Sequence, residues 1–413
     1  MATRLSRRAL VGAALGTALA APSVRTARAA EPGLRLGCLT DLGGPYTDLT
    51  GKGSVAAIQL AIEDFGRLRP DVPVALTVAD FGLKPDVGLN LMRGWFDNGG
   101  VDAVLDVPMS ALALASVRVL EDKNKVGLIT SAATSELTRS RCGPNHVQFA
   151  SDTYALASTL VKEVLRQGGD TWFFILPDYE LGKSMVADAS RLVVQNGGKV
   201  LGAVAHPFPG NTDFGSFLVQ AQSSGAKVIC LANAGEDAAN AMKQAREFNV
   251  LRGGALLAVP FLGEPTIHSV GLGVAQGGYF PSPFYWGQSA GAIALADRHT
   301  RLVPNQRLSK NHANAYSGAL HYLKTAAAIG VERAKADGRA VVAAMKATGP
   351  DDVLFGPSRI RVDGQTMHDM MLLQVKAPAE SRGPWDYCRI AGTLPAAEAY
   401  RPLNEGGCRL AAT

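Results

Sequence analysis

Histidine and cysteine are the side chains of this 413-residue sequence best suited to metal binding or nucleophilic catalysis, and their spacing favours neither. The seven histidines are scattered, and none belongs to the H-E-x-x-H pattern that binds zinc. They are His146, His206, His268, His299, His312, His321 and His368. No C-x-x-C pair is present, and the carboxylates are not grouped as a metal site or an acid–base pair requires. The sequence therefore predicts no metal site.

Loops that bind phosphate or activate a nucleophile are missing as well. The sequence contains no G-x-x-x-x-G-K-[ST] phosphate loop, and no G-x-S-x-G turn directly follows a predicted strand. Gly271-Leu272-Gly273 begins like a dinucleotide-binding loop, but the next glycine, Gly277, is at the wrong spacing. This pattern favours solute binding over catalysis, so we expect neither an enzyme activity nor a cofactor.

The composition is that of a globular protein, with 47% hydrophobic and 19% charged residues. The net charge of +5 first suggests an anionic partner, but it comes entirely from five arginines in residues 1–29. They are Arg4, Arg7, Arg8, Arg25 and Arg28. Removing these five from the 41 basic residues leaves 36, against 36 acidic residues. We therefore expect no nucleic-acid partner.

The first 29 residues have the pattern of an export signal. Their arginines flank the short apolar run Ala9–Ala21, and Ala27-Arg28-Ala29 matches the A-x-A cleavage pattern. Ser6-Arg7-Arg8-Ala9-Leu10 matches a twin-arginine signal, with an ordinary secretory signal as the alternative. Residues 1–29 are therefore predicted to be a cleaved signal, and the mature chain is predicted to be exported without a membrane anchor.

Export makes disulfide bonds possible among the five cysteines. Cys38 and Cys230 lie in apolar, strand-like runs and are expected to be buried free thiols. Cys142, Cys388 and Cys408 lie in polar, turn-like segments, so one pair among them is expected to be bridged. We prefer Cys142–Cys408, with Cys388–Cys408 as the second possibility.

Short apolar strands alternate with amphipathic helices from Leu34 to about Phe248. One array runs from the strand Leu34–Thr40 to the strand Val126–Thr130, and a second begins with the helix Thr153–Gln167. Strands alternating with helices indicate parallel sheets with helices on both faces. The fold class predicted is therefore α/β, with two doubly wound parallel-sheet lobes whose ligand loops follow the carboxyl ends of the strands.

The pattern changes beyond Tyr279. An aromatic and proline-rich segment, 279–286, is followed by a predicted helix at Asn311–Lys335 and another at Arg339–Thr348. A hairpin is predicted around Asp363-Gly364. We expect this tail to complete both lobes.

Several segments resemble the periplasmic solute-binding proteins of ABC importers, in the branched-chain or hydrophobic amino-acid group. The resemblance covers about Leu34 to Arg409, and the order and spacing of its motifs carry it more than any motif alone. The motifs are Leu36–Tyr46 with Ala61–Phe65, Ser131–Thr138, Asp178–Gly182, Asn211–Phe214 and Ala232–Gly235 with Met242–Ala245. The subgroup that the sequence most resembles includes proteins proposed to bind aromatic acids or short amides.

The resemblance implies a type I periplasmic binding fold, in which three hinge crossings join two lobes that close over a ligand. We place the crossings near Phe149–Ala150, Phe280–Tyr285 and Phe355–Pro357. Lobe one is then 30–148 plus 285–355, and lobe two is 149–284 plus 356–413. It also implies a periplasmic monomer that works with a membrane permease.

The resemblance places the ligand-binding residues in loops after the strands. Those of lobe one are Tyr46, Ser110, Ala111, Ser131, Ala132 and Thr134. Those of lobe two are Tyr179, Leu181, Asn233 and Phe261. Hydroxyl and backbone N–H groups at helix starts suit a carboxylate, although simple N-capping is the alternative for Ser131 and Thr134. The tyrosines, including Tyr285 in the hinge, can enclose an apolar ligand or pack within the protein.

One departure from amino-acid-binding relatives bears on the ligand. Those relatives hold the ligand ammonium with an acidic side chain near the stretch that is Ala258–Leu262 here, and this stretch has no carboxylate. Glu264 and Asp237 are possible substitutes. The sequence therefore predicts an ABC-importer receptor for an aromatic or aliphatic carboxylate. The alternatives are branched-chain or hydrophobic amino-acid binding, an exported α/β enzyme, and a sensor domain of the same fold.

Overall fold

A computed structural model describes residues 33–411, so the predicted export signal, 1–29, lies outside the described residues. The first sheet is parallel throughout, with the strand order β2-β1-β3-β4-β5. Its strands are β1 Leu34–Thr40, β2 Val74–Asp80, β3 Ala103–Asp106, β4 Val126–Ile129 and β5 His146–Gln148. The helices between them are α1 Gly51–Leu68, α2 Pro85–Asp97 and α3 Ser110–Lys123.

The second sheet has the order β14-β13-β10-β9-β8-β6-β7 and is parallel except where β13 pairs with β10 and β14. Its strands are β6 Thr171–Pro177, β7 Lys199–His206, β8 Val228–Leu231, β9 Leu256–Ala258, β10 Tyr279–Ser282, β13 Met370–Val375 and β14 Cys388–Leu394. A separate two-stranded hairpin joins β11 Arg359–Ile360 to β12 Thr366–Met367.

Helices cover both faces of this second sheet, and helices from the later part of the chain pack against the first sheet. Those in the first half of lobe two are α4 Thr153–Arg166, α5 Glu180–Gln195, α6 Gly215–Ser223, α7 Gly235–Glu247, α8 Glu264–Val270 and α9 Leu272–Ala275. Those that follow are α10 Ala290–Leu302, α11 Lys310–Ile329, α12 Val331–Ala336, α13 Gly338–Thr348 and α14 Ala396–Ala399. None of the helices within residues 33–411 is both long enough and apolar enough to cross a membrane.

The sequence forms these sheets because its strands differ in pattern according to their place. The central strands β3 and β4 are buried at every residue, as continuous apolar runs between two helical layers should be. The edge strand β7 alternates exposed and half-buried residues until its last residue. The apolar strands of each array therefore set the middle of its sheet, and the mixed strands form its edges.

Two doubly wound lobes joined by three crossings result, which confirms the predicted fold class. The chain leaves lobe one after Gln148, returns to it as helices after Ser282, and leaves it again in the hairpin before Met370. Residues between the second and third crossings, such as Phe284 and Leu323, share a core with strand β1. The residue bounds proposed for the two lobes stay a prediction.

The tail differs from the expectation in its helices. The single helix predicted at Asn311–Lys335 is divided into α11 and α12, because Gly330 adopts φ +96°, in the left-handed region where a helix stops. The short helix α10 was not predicted. The hairpin around Asp363-Gly364 is confirmed, since β11 and β12 pair in the antiparallel sense.

Cys142 and Cys408 form a disulfide with an S–S distance of 2.02 Å, the pairing that the sequence analysis preferred. Cys38, Cys230 and Cys388 are buried free thiols. Cys142 lies between β4 and β5 of lobe one, so the last described residues lie against lobe one.

Candidate ligand-binding site

A pocket lies between the lobes, at the carboxyl ends of strands from both sheets, with about 580 Å³ of space free of protein atoms, its mouth included. Lobe one contributes Tyr46, Leu49, Thr50, Pro108, Ser131 and Ala133. Lobe two contributes Ala150, Ser151, Leu156, Leu181, Ala234 and Phe261. The second crossing and α11 contribute Pro283, Lys310, Asn311 and Asn314. This is where ligands bind in open α/β sheets, because the loops of successive strands converge there.

Lys310 is the only lining residue of this pocket with a formally charged side chain. Its side chain is 9% exposed, and its Nζ donates hydrogen bonds to Pro281 O at 3.2 Å and Pro260 O at 3.4 Å. Burial lowers the pKa of Lys310 to about 8. The rest of the lining is apolar or carries neutral hydroxyl and amide groups, so the pocket presents a single cation in an otherwise uncharged wall.

Two tyrosines meet across the cleft. The hydroxyls of Tyr46 and Tyr179 hydrogen-bond to each other, and both rings stack on Phe208, with centroids at 5.8 Å and 4.5 Å. The Tyr46 backbone N–H donates to Asp41 Oδ2 at 2.8 Å, which fixes the loop after β1. Burial raises the pKa of both phenols, so they stay neutral at physiological pH. The pair can therefore close one end of the pocket without adding charge.

Further hydrogen bonds join the two lobes, so the cleft is closed at these points. The backbone N–H of Glu236 donates to Pro45 O at 2.9 Å. Thr134 Oγ1 donates to Glu180 Oε1 at 2.9 Å, and Ser135 Oγ donates to the α5 carboxylate Asp188 Oδ2 at 2.9 Å. Each of these bonds joins a loop of lobe one to lobe two, so each would break when the lobes separate.

Four of the ten predicted ligand residues line the pocket, namely Tyr46, Ser131, Leu181 and Phe261. Ser131 Oγ, however, donates its hydrogen bond to Asp106 Oδ1, and burial raises the pKa of Asp106 to about 6. The Ser131 hydroxyl is therefore already engaged within the protein, so its donor is not free for a ligand in this state.

The other predicted residues of lobe one lie beside the pocket. Ser110 and Ala111 begin α3, and the buried Ser110 Oγ has no hydrogen-bond partner among the described residues. Ala132 presents its carbonyl to Gln148 Nε2 at 3.0 Å. Thr134 Oγ1 accepts a hydrogen bond from Glu136 N at 3.3 Å, the N-capping role that the sequence analysis gave as the alternative.

The remaining predicted residues of lobe two are held by neighbours within that lobe or across the cleft. Tyr179 precedes α5 and is bonded to Tyr46 as described. Asn233 Nδ2 is 2.6 Å from His206 Nε2, and Asn233 Oδ1 has no partner among the described residues. Its neighbour Ala234 lines the pocket instead. A polar group in a loop after a strand is thus placed near the pocket, but the loop geometry decides which residue faces it.

The two carboxylates considered as holders of a ligand ammonium lie outside the pocket lining. Burial raises the pKa of Glu264 to about 7, and Glu264 Oε1 has no hydrogen-bond partner among the described residues. Burial also raises the pKa of Asp237 to about 7, and its Oδ2 lies 3.9 Å from His206 Nε2. The described part of the chain therefore offers a ligand ammonium no anion in the pocket lining.

The sequence analysis missed the three polar residues of α11, Lys310, Asn311 and Asn314. One signal was present in the sequence. Lys310 follows the cap residue Ser309, so its ammonium lies at the positive end of the helix dipole, where a cation is unfavourable. A lysine at this position does not stabilise its helix, which indicates a different role.

The chain matches the family model described as "Periplasmic binding protein" over residues 33–383. A search of curated proteins finds no similar sequence. Among solved structures, the chain is similar to a periplasmic binding protein from Burkholderia mallei, with 37% identity and a TM-score of 0.86, over 92% of this chain and 99% of that one.

Two further solved structures are similar. A branched chain amino acid ABC transporter periplasmic ligand-binding protein from Burkholderia xenovorans is 37% identical, with a TM-score of 0.81, over 92% of this chain and 100% of that one. An ABC transporter solute binding protein from R. palustris in complex with benzoate is 17% identical, with a TM-score of 0.79, over 91% and 99%, and shows the fold alone. With its two lobes and the pocket between them, the chain belongs to the periplasmic binding protein family.

Proposed function

We propose that this protein is the periplasmic receptor of an ABC importer and captures a small organic carboxylate between its lobes. The observation that carries the proposal is the pocket itself, which is lined from both lobes at the ends of their strands. A ligand that contacts both walls stabilises the closed state, so binding and lobe closure are coupled. That coupling lets a transporter distinguish the loaded receptor from the empty one.

The ligand class follows from the charges of the pocket. Among the described residues no carboxylate lines it, so the ammonium of an amino acid would be buried there without a counter-ion, which costs several kcal/mol. Leu156, Leu181 and Phe261 offer an apolar wall for the body of the ligand. An aromatic or aliphatic carboxylate therefore suits the pocket better than an amino acid.

Amino-acid binding is the second candidate, because the 37% identical protein from B. xenovorans is described as a branched chain amino acid ligand-binding protein. The R. palustris protein solved with benzoate indicates that this fold also accommodates an aromatic acid. In either case the role is transport, and we propose that the bound solute is released unchanged.

Export, oligomeric state and partner form part of the same proposal. Residues 1–29 have the pattern of a signal that is removed, leaving a mature chain balanced between basic and acidic residues. We propose that this mature chain acts in the periplasm as a monomer and delivers its solute to a membrane permease.

A matched pair of probes tests the proposed function. 4-Methylpentanoate is leucine without its ammonium group, so the two differ only in the charge that decides the ligand class. We expect titration calorimetry to show binding of 4-methylpentanoate or benzoate, with leucine binding at least about tenfold more weakly, and each acid recovered unchanged. Tight binding of leucine with none of the acids would establish the amino-acid alternative, and turnover of a probe would favour an enzyme.

A further inference from the structure

We propose that Lys310 is the anion-binding residue of this receptor, and that its ammonium forms an ion pair with the carboxylate of the ligand. This inference rests on the proposed function, since it names the group that would select a carboxylate. Lys310 is not among the ligand-binding residues that were expected from the sequence.

The position of the ammonium carries the inference. Lys310 is the first residue of α11, and its side chain reaches the carbonyl oxygens of Pro260 and Pro281. Pro260 lies just after strand β9, and Pro281 lies within strand β10. An ammonium has three N–H donors, and these two carbonyls accept only two hydrogen bonds. Because the Lys310 side chain lines the pocket, its third N–H can donate a hydrogen bond to a ligand carboxylate there.

In the described part of the chain, the Lys310 ammonium has no ion-pair partner. Among the described residues, no carboxylate oxygen lies within 4.0 Å of Lys310 Nζ, although the side chain is only 9% exposed. Glu264 is near enough to raise the pKa of Lys310, but burial lowers that pKa by a larger amount. Burial also raises the pKa of Glu264 to about 7. Glu264 is therefore only partly ionised near neutral pH and leaves Lys310 without a full counter-charge.

The start of α11 adds to the same preference. Its dipole favours a negative charge and disfavours the Lys310 ammonium placed there. A ligand carboxylate would be attracted by the dipole and would compensate the buried cation. Asn314, one turn further along α11, also lines the pocket, but its Nδ2 donates to Thr130 O at 3.3 Å, so only its Oδ1 acceptor is left for a donor group of the ligand. The N-terminal end of this 20-residue helix thus supplies the cation and both side-chain amides of the pocket lining.

The charge pattern also defines what the rest of the ligand should be. With one cation and no lining anion, the pocket accepts one carboxylate attached to an uncharged body. A second carboxylate would lack a partner, and an α-ammonium would lie close to a like charge. We therefore infer that the ligand is a monocarboxylate with an aromatic or branched aliphatic body.

The test compares acids with their neutral amides in lysine variants. Lys310→Met removes the charge and keeps much of the length, and Lys310→Gln is a second neutral variant in case the first does not fold. Lys346→Met is the matched control. Lys346 lies on α13, outside the pocket, and its Nζ also donates to a backbone carbonyl, Val362 O, at 2.7 Å. Calorimetric titrations would use benzoate with benzamide and 4-methylpentanoate with 4-methylpentanamide.

We expect the affinity of whichever acid binds the wild type to fall about 30-fold or more in Lys310→Met and Lys310→Gln. Binding of the amides should change by less than about threefold, and Lys346→Met should behave as the wild type. An acid that binds Lys310→Met as tightly as the wild type would overturn the role of Lys310 and leave the receptor function intact. Failure of the wild type to bind any of the acids would instead count against the proposed ligand class, and the inference would fall with it.

Discussion

Gly235 of lobe two lies directly against Pro45 of lobe one, so close that a Cβ atom built on Gly235 would overlap the Pro45 carbonyl oxygen. Gly235 also has φ +57°, a backbone conformation that favours glycine. The next residue, Glu236, donates its backbone N–H to the same carbonyl at 2.9 Å. The absence of a side chain at Gly235 is therefore part of how the two lobes close.

We predict that Gly235→Ala prevents full closure and weakens ligand binding by at least about tenfold. The added methyl group meets Pro45 only in the closed state, so the open state should keep its fold. Small-angle scattering with saturating ligand should then show a larger radius of gyration than for the closed wild type.

Gly225→Ala is the matched control for this prediction. Gly225 also has a positive φ, +68°, but its Cβ would meet no atom within 4 Å. Both variants should lose about 1 kcal/mol of stability from the backbone conformation, and only Gly235→Ala should lose affinity. Equal affinity losses in the two variants would contradict the role assigned to the Gly235–Pro45 contact.

The hydrogen bond between Tyr46 and Tyr179 gives a second prediction. Tyr46→Phe and Tyr179→Phe each remove this bond between the lobes while the rings keep their stacking on Phe208. The closed state should lose about 1 kcal/mol, so the affinity for a bound acid should fall roughly fivefold, mainly through faster dissociation. Stopped-flow measurement of dissociation would check this.

The double variant Tyr46→Phe, Tyr179→Phe provides the control within the pair. If the hydroxyls act through each other, the double variant should lose no more affinity than either single variant. Additive losses would show that each hydroxyl contacts the ligand separately.

Strands β1 and β4 could be predicted closely because they are apolar runs buried on both faces, whereas the short strand β5, His146–Gln148, was not predicted. The pocket could not be predicted in the same way. The Lys310 ammonium meets carbonyls 50 and 29 residues away in sequence, and Asn233 is engaged by His206, 27 residues away. Periodicity predicts which face of an element is buried, whereas these contacts depend on how loops from different strands meet. The dipole argument at the start of α11 was the one local signal for Lys310.

The ion pair inferred for Lys310 predicts that binding depends on pH. Burial lowers the pKa of ligand-free Lys310 to about 8, and a bound carboxylate would raise it. The complex then holds its proton to higher pH than the free protein, so the contribution of Lys310 to affinity is full below about pH 8 and falls as pH rises, by up to about tenfold per pH unit. Calorimetry of a bound acid between pH 6.5 and about 9.5 measures this slope.

Glu264 is the second titratable group to separate in that experiment. Burial raises its pKa to about 7, so its ionisation adds a negative charge near Lys310 as pH rises through neutrality and should also weaken binding of an acid. Glu264→Gln should remove the part of the pH dependence near 7, and Lys310→Met should remove the part above 8. A steep loss of affinity above pH 8 that persists in Lys310→Met would show that another group titrates.

The disulfide between Cys142 and Cys408 links the two lobes outside the three crossings. The chain reaches it from lobe two, where Arg401 forms a buried ion pair with Asp188 of α5, and ends beside α3 of lobe one, where Arg409 Nη2 meets Glu121 Oε1 at 2.8 Å. The variant Cys142→Ser, Cys408→Ser should therefore lose stability, by about 2–5 kcal/mol in chemical denaturation. Its ligand-free form should also open further in small-angle scattering.

Reductant should produce the same changes in the wild type and none in the double variant. An unchanged opening range together with lower stability would mean that the disulfide anchors the tail without limiting the lobes.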